Sequence, residues 1–156
     1  VRRWFHTESD TEEDVNSTIN TLLYGFKKIH ASCNSNQVIY SDRPHLRASG
    51  EYENVYASVN SGDAMPVIYI YELFLNTGKR TFFGNIPKMW LCALTVIHEL
   101  SHKVANTDDI RYDTEGLKPG IGFTSSQALK NADSWAYFAA DIVGALSATT
   151  IQNTLK

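Results

Sequence analysis

His98-Glu99-Leu100-Ser101-His102 is an HExxH motif, and it carries the most chemistry of any short stretch in the chain. On a helix, positions four apart lie about 40° apart around the axis, so His98 and His102 share a face and can clamp one metal ion. Glu99 stands on the flank of that face, where its carboxylate can reach a water beside the metal and act as a general base. On a strand, 98 and 102 would share a face with Leu100 and Glu99 would point away. Imidazole suits zinc, and a catalytic zinc site uses three protein ligands and one open position. The motif therefore supplies two ligands and a base, and predicts metal-assisted hydrolysis.

The elements that must position these residues follow from patterning. The apolar run 90–97 ahead of His98 predicts a buried helix, and Pro87 suits its start because the N–H that proline lacks is unpaired there anyway. The helix is expected to stop at Asn106 in a left-handed conformation, with 107–113 turning back toward the metal. Residues 9–32 predict a long amphipathic helix, with Ser9 and Glu12 as its capping box and Val15, Ile19, Leu22, Leu23, Phe26 and Ile29 on one face. Short strands are expected at 37–40 and 51–58, and the strongest strand signal is 66–71, PVIYIY. If that strand lies at a sheet edge facing the cleft, its free backbone groups can pair with an extended peptide. Turns are expected across 41–50 and 76–78, and 82–85 leads into the motif helix. The glycine-rich stretch 114–125 is expected to wall the cleft. Ser125 or Ser126 is expected to cap a short helix, and 132–148 forms a last helix.

The chain has 156 residues, 43% of them hydrophobic, which fits one domain over 1–156 with a real core. Its net charge of −3 and isoelectric point near 5.9 argue against nucleic-acid or anionic-membrane partners, which need clustered Lys and Arg. No apolar stretch is long enough to span a bilayer. Cys33 and Cys92 permit one internal disulfide at most and form no CxxC pair, so they make no structural zinc site. His6, His30 and His45 are expected to stand alone. With Val1 first, a processed chain or a domain of a longer polypeptide is expected.

A third ligand has to come from elsewhere. The metzincin pattern requires a glycine and a histidine where this chain has Ala105 and Asp108, and both methionines, Met65 and Met89, precede the motif. No glutamate follows Glu115, so an aspartate remains, and spacing alone leaves Asp108 and Asp109 open. The arrangement Thr107-x-Asp109-x-x-Tyr112 after the HExxH resembles the aspzincin family, the deuterolysin and peptidyl-Lys metalloendopeptidase group. Asn131-Ala132-Asp133 with Tyr137-Phe138, and the strand residues Ile68-Tyr69-Ile70-Tyr71, extend the resemblance across roughly residues 66 to 140. The chain departs from the family pattern in a shorter connector to Asp109, in Asn106 before the Thr and in Asp113 after the Tyr, where the family carries glycines.

The resemblance implies an α+β, zincin-like fold with a small sheet, and one zinc ion per chain held by His98, His102 and Asp109. It implies Glu99 as base, Tyr112 as hydrogen-bond donor to the oxyanion, and Tyr69, Tyr71 and Asp133 on the substrate side. Lys-selective members pair Asp133 with a glutamate three residues on. This chain has Ala136 there, so at most a mild preference for Lys or Arg after the cleaved bond is expected. The expected protein is a secreted or exported monomer acting on protein or peptide substrates. The alternative from another class is a zinc-containing binding or toxin-like domain of a larger secreted protein that lacks turnover.

Overall fold

The computed structural model describes residues 1–42, 54–76 and 86–156. The expected turn at 41–50 and the segments 77–78 and 82–85 lie wholly or largely outside these, as does His45. The motif helix, α4 (Lys88–Ala105), is the element on which the others assemble. One side packs on α2 (Glu12–Cys33), another on α6 (Ala132–Ile142), and a third on a three-stranded sheet. The sheet has β3 (Val67–Ile70) in the middle, paired parallel to β1 (Ile39–Ser41) and antiparallel to β2 (Ala57–Val59). Short helices α1 (Arg2–Phe5), α3 (Glu72–Leu75), α5 (Ser125–Lys130) and α7 (Ala148–Thr154) complete the described secondary structure, with a 3-10 turn at Asp113–Glu115.

The ends of the elements have local causes. α4 stops where expected, at Asn106 with φ 57° and ψ 47°. α2 begins at Thr11 rather than Ser9: the Thr11 hydroxyl accepts from the Asp14 N–H and the Asp14 carboxylate accepts from the Thr11 N–H, a capping box two residues later than expected. Likewise Thr124, not Ser125 or Ser126, caps α5, with Gln127 closing the box. The expected helix 132–148 breaks after Ile142, where Gly144 takes φ 71° and the chain restarts as α7 under the Ser147 cap. The strand expected at 66–71 forms, but as the central strand. Its two sides are occupied by β1 and β2, so the condition for it to offer free groups to a peptide is not met, and among the described residues the edge facing the cavity is β2.

The core joins Trp4 and Phe5 of α1 to Leu22 and Ile29 of α2, Ile68 of β3, Leu94 and Leu100 of α4, and Trp135 and Phe138 of α6. Leu117 and Phe123 from the glycine-rich stretch are buried here too, and of that stretch Thr114 alone lines the cleft. α2 meets α6 through Gly25, whose missing side chain leaves room for the indole of Trp135. A Cβ at Gly25 would overlap two carbons of that buried ring. Gly25→Ala is therefore expected to destabilise the fold by about 1–3 kcal/mol despite alanine's better helix propensity, as read by the urea midpoint. A raised midpoint would show that the indole has room to shift.

Candidate metal centre

Four residues of α4 separated by three or four positions, Leu91, Leu94, His98 and His102, line a cavity of about 540 Å³, together with Thr95 and Glu99. The facing wall is Asn54 to Val59, which includes β2, and the remaining sides come from Asp109 and Tyr112 to Thr114 and from Asp133, Ala136 and Tyr137 of α6. Among the described residues, no Lys or Arg lines the cavity, whereas Glu99, Asp109, Asp113 and Asp133 all reach it.

Within this cavity His98 Nε2 and His102 Nε2 lie 3.1 Å apart. Asp109 Oδ1 lies 3.0 Å from the first and 3.4 Å from the second. The outer nitrogens are committed: His102 Nδ1 donates to the Thr107 carbonyl at 2.8 Å, and His98 Nδ1 donates to Asp133 Oδ1 at 2.7 Å. Both rings therefore present Nε2 inward, toward each other and toward a carboxylate oxygen. Three such electron-rich atoms converge stably only around positive charge, a proton or a cation. The three separations match the edge of a tetrahedron, about 3.3 Å for donors about 2.0 Å from the centre, and two imidazoles with one carboxylate is a donor set that suits zinc.

The electrostatics follow the geometry. Burial disfavours a charged His98 ring, but hydrogen bonding to Asp109 and Asp133 outweighs it and lifts its pKa to about 10. The same hydrogen bonds from His102 and His98 hold the Asp109 carboxyl well below the usual range. Glu99 is buried, and burial pushes its pKa up against the opposing pull of the two histidines; the Val59 amide of β2 supports its charged form. A raised pKa makes a carboxylate a stronger base at neutral pH. Burial, with the negative charges of Asp109 and Asp133, pushes the phenol of Tyr112 up to about 12, so it stays protonated and able to donate.

The turn after α4 brings Asp109 to the histidines and leaves Asp108 outside the cluster: Asp108 N–H donates to Lys130 O at 2.7 Å, and its carbonyl accepts from Ala132 at 3.0 Å. Tyr69 and Tyr71 do not line the cavity; Tyr69 is buried in β3 and Tyr71 is buried just after it, with Tyr69 Oη on Asp63 at 2.7 Å and Tyr71 Oη 2.9 Å from Ser58 Oγ. Asp133 lines it, with both oxygens engaged: Oδ1 with His98 and Oδ2 accepting from the Asp113 N–H at 3.0 Å. Glu115 instead accepts from the Tyr112 N–H at 2.9 Å, closing the turn that carries the tyrosine. His6 is not isolated either, since its Nδ1 lies 2.9 Å from Asp10 Oδ2. Cys33 and Cys92 are not joined in a disulfide.

Several participants escaped the sequence reading. Fully buried Asn131 accepts from the Ile110 and Arg111 amides at 3.0 and 2.9 Å, fixing the turn between Asp109 and Tyr112. Thr107 Oγ1 sits 2.6 Å from Ser101 Oγ, which donates to the His98 carbonyl at 2.7 Å. Asp113 reaches the cavity beside Asp133, and its Oδ2 accepts from Tyr137 Oη at 2.6 Å. Thr107 and Asn131 lay inside patterns already noted, but contact between 131 and 110–111 is long-range and leaves no local signal.

The fold is α+β with a small sheet, and it brings two histidines and an aspartate around one point, a cluster that could hold a metal ion. The profile of the aspzincin family, described as lysine-specific metallo-endopeptidase, matches residues 1–140, and the chain belongs to that family. The structure is similar to that of a zinc peptidase from Grifola frondosa, with a TM-score of 0.55 at 19% identity over 90% of this chain and 75% of that one. No curated protein sequence matches the chain. Among the described residues, no helix is long and apolar enough to cross a membrane.

Proposed function

We propose that this chain is a zinc endopeptidase that binds one zinc ion per molecule through His98, His102 and Asp109 and acts as a monomer on protein or peptide substrates outside the producing cell. The observation that carries the reading is the convergence of two imidazole nitrogens and one carboxylate oxygen beside a buried glutamate in a single cavity. Zinc bound there would polarise the scissile carbonyl and acidify a water molecule. Glu99 takes a proton from the attacking water as its oxygen bonds to the carbonyl carbon. It then delivers that proton to the nitrogen as the C–N bond breaks. Tyr112 donates a hydrogen bond to the oxygen on which negative charge develops. Asp133 holds the His98 ring by its outer nitrogen, and the Thr107 carbonyl holds that of His102, fixing which nitrogen faces inward.

The substrate is proposed to lie along β2. The Tyr71 N–H bonds to the Tyr56 carbonyl at 3.1 Å, so by the alternation of an antiparallel ladder Ser58 also faces β3, and the backbone groups of Ala57 and the carbonyl of Val59 face outward. An extended peptide can pair with them by strand addition. The acids Asp113 and Asp133 beside the small Ala136 favour a cationic side chain, within a few-fold because Asp133 is already engaged.

Tyr112→Phe is expected to keep zinc and fold but to lower kcat by roughly 10²–10³, the effect of removing one oxyanion donor. Unchanged turnover would remove that role from Tyr112. The reading as a whole is tested by incubating the zinc-loaded chain with casein and mapping new peptide ends by mass spectrometry. Absence of new ends would favour a binding domain without turnover.

A further inference from the structure

We infer that Lys103 is a positioning residue for the substrate, fixing the edge of β2 against the metal-binding helix. Lys103 follows His102 directly and lies one helical turn beyond Glu99, so residues 99 and 103 share a side of α4. Its ammonium donates to two backbone carbonyls, Asn60 at 2.9 Å and Asp63 at 3.1 Å, some forty positions earlier in the chain. These carbonyls bracket the turn that leaves β2, which is itself closed by Asp63 N–H to Asn60 O at 3.1 Å and by Gly62 N–H to Asn60 Oδ1 at 2.9 Å. Asp63 is held from the other side by Tyr69 Oη of β3.

Two successive turns of one helix thus meet one strand end: Glu99 lines the cavity beside Val59, and Lys103 takes the carbonyl of Asn60. β2 is only three residues long and, among the described residues, is paired on one side by β3, so its distance from the helix depends on this grip. That distance decides whether the outward groups of Ala57 and the carbonyl of Val59 stand where a peptide can pair while its scissile carbonyl reaches the site beside Glu99. A lysine is suited to this task because a single charged donor can serve two carbonyls at once. The inference rests on the peptidase reading, since it concerns how a peptide lies against β2.

Lys103→Met keeps most of the aliphatic stem and removes the donor. The expected result is a roughly tenfold rise in KM for a peptide of about eight residues, long enough to run along β2, because small misplacements of a bound chain are costly. For a short substrate that ends before β2, KM and kcat are expected to stay near the wild-type values, zinc content should be unchanged, and Lys103→Arg should restore the long-peptide KM. Hydrogen exchange of the amides at 57–63, measured on the zinc-loaded proteins without substrate, should quicken in the Met variant. Equal losses on long and short peptides, or unchanged KM together with unchanged exchange, would overturn the inference. A wild-type chain that cleaves neither peptide would overturn the peptidase reading itself, whereas faster exchange at 57–63 would still report the clamp.

Discussion

Glu99→Gln is expected to lower turnover by roughly 10²–10⁴, the contribution of a well-placed general base, while zinc content and unfolding midpoint stay close to wild type. The amide preserves shape and can still accept from the Val59 N–H, but it cannot take a proton from water. Glu99 is buried, and burial raises the cost of its charge. A neutral glutamine avoids that cost, so loss of activity through unfolding is not expected. Turnover and thermal unfolding measured on one preparation separate the two effects. A Gln variant that cleaves casein at the wild-type rate would place the base elsewhere.

Asp109→Ala is expected to weaken zinc binding by more than about 100-fold, beyond the roughly 10–100-fold of losing a residue that orients a ligand. Its carboxylate lies within 3.4 Å of both inward nitrogens and supplies the negative charge that two neutral imidazoles lack. Asp133→Ala is expected to fall in the 10–100-fold range, because it removes the acceptor of His98 Nδ1 and leaves the inward atoms in place. Asp108→Ala should change little, since the contacts seen at Asp108 are made by its backbone. Zinc competition with a chromophoric chelator across the three variants orders them. An Asp108 variant weaker than the Asp109 variant would reverse the assignment of the ligand turn.

The parts of the site that were legible in the sequence are those that depend on near neighbours. His98, Glu99 and His102 sit on one helix whose period fixes their directions, and Asn106 supplies the left-handed residue that turns the chain back. The choice of Asp109 over Asp108 needed more, because Asn131 and the bridge from Asp108 to Asn131 set which acid points inward. Apolar, β-branched residues marked 66–71 as a strand but said nothing about its neighbours. A central strand and an edge strand differ in what pairs beside them, and β2 itself, ASV, is too short to carry a pattern. For this reason Tyr69 and Tyr71 were expected at the cleft, whereas Ala57 to Val59 line it. Asp113 was visible only as a departure from the family's glycine, and its place beside Asp133 became apparent once α6 packed on α4.

Two histidines and Asp109 are proposed to form a site for one zinc ion that makes the chain a peptidase. The most direct test strips the protein with chelator, confirms by circular dichroism that it stays folded, and adds zinc back stepwise while casein cleavage is followed. No cleavage is expected without metal, followed by a rise that saturates at one equivalent of zinc per chain. Cleavage that persists in the stripped protein, or zinc bound at one equivalent with no cleavage, would contradict it.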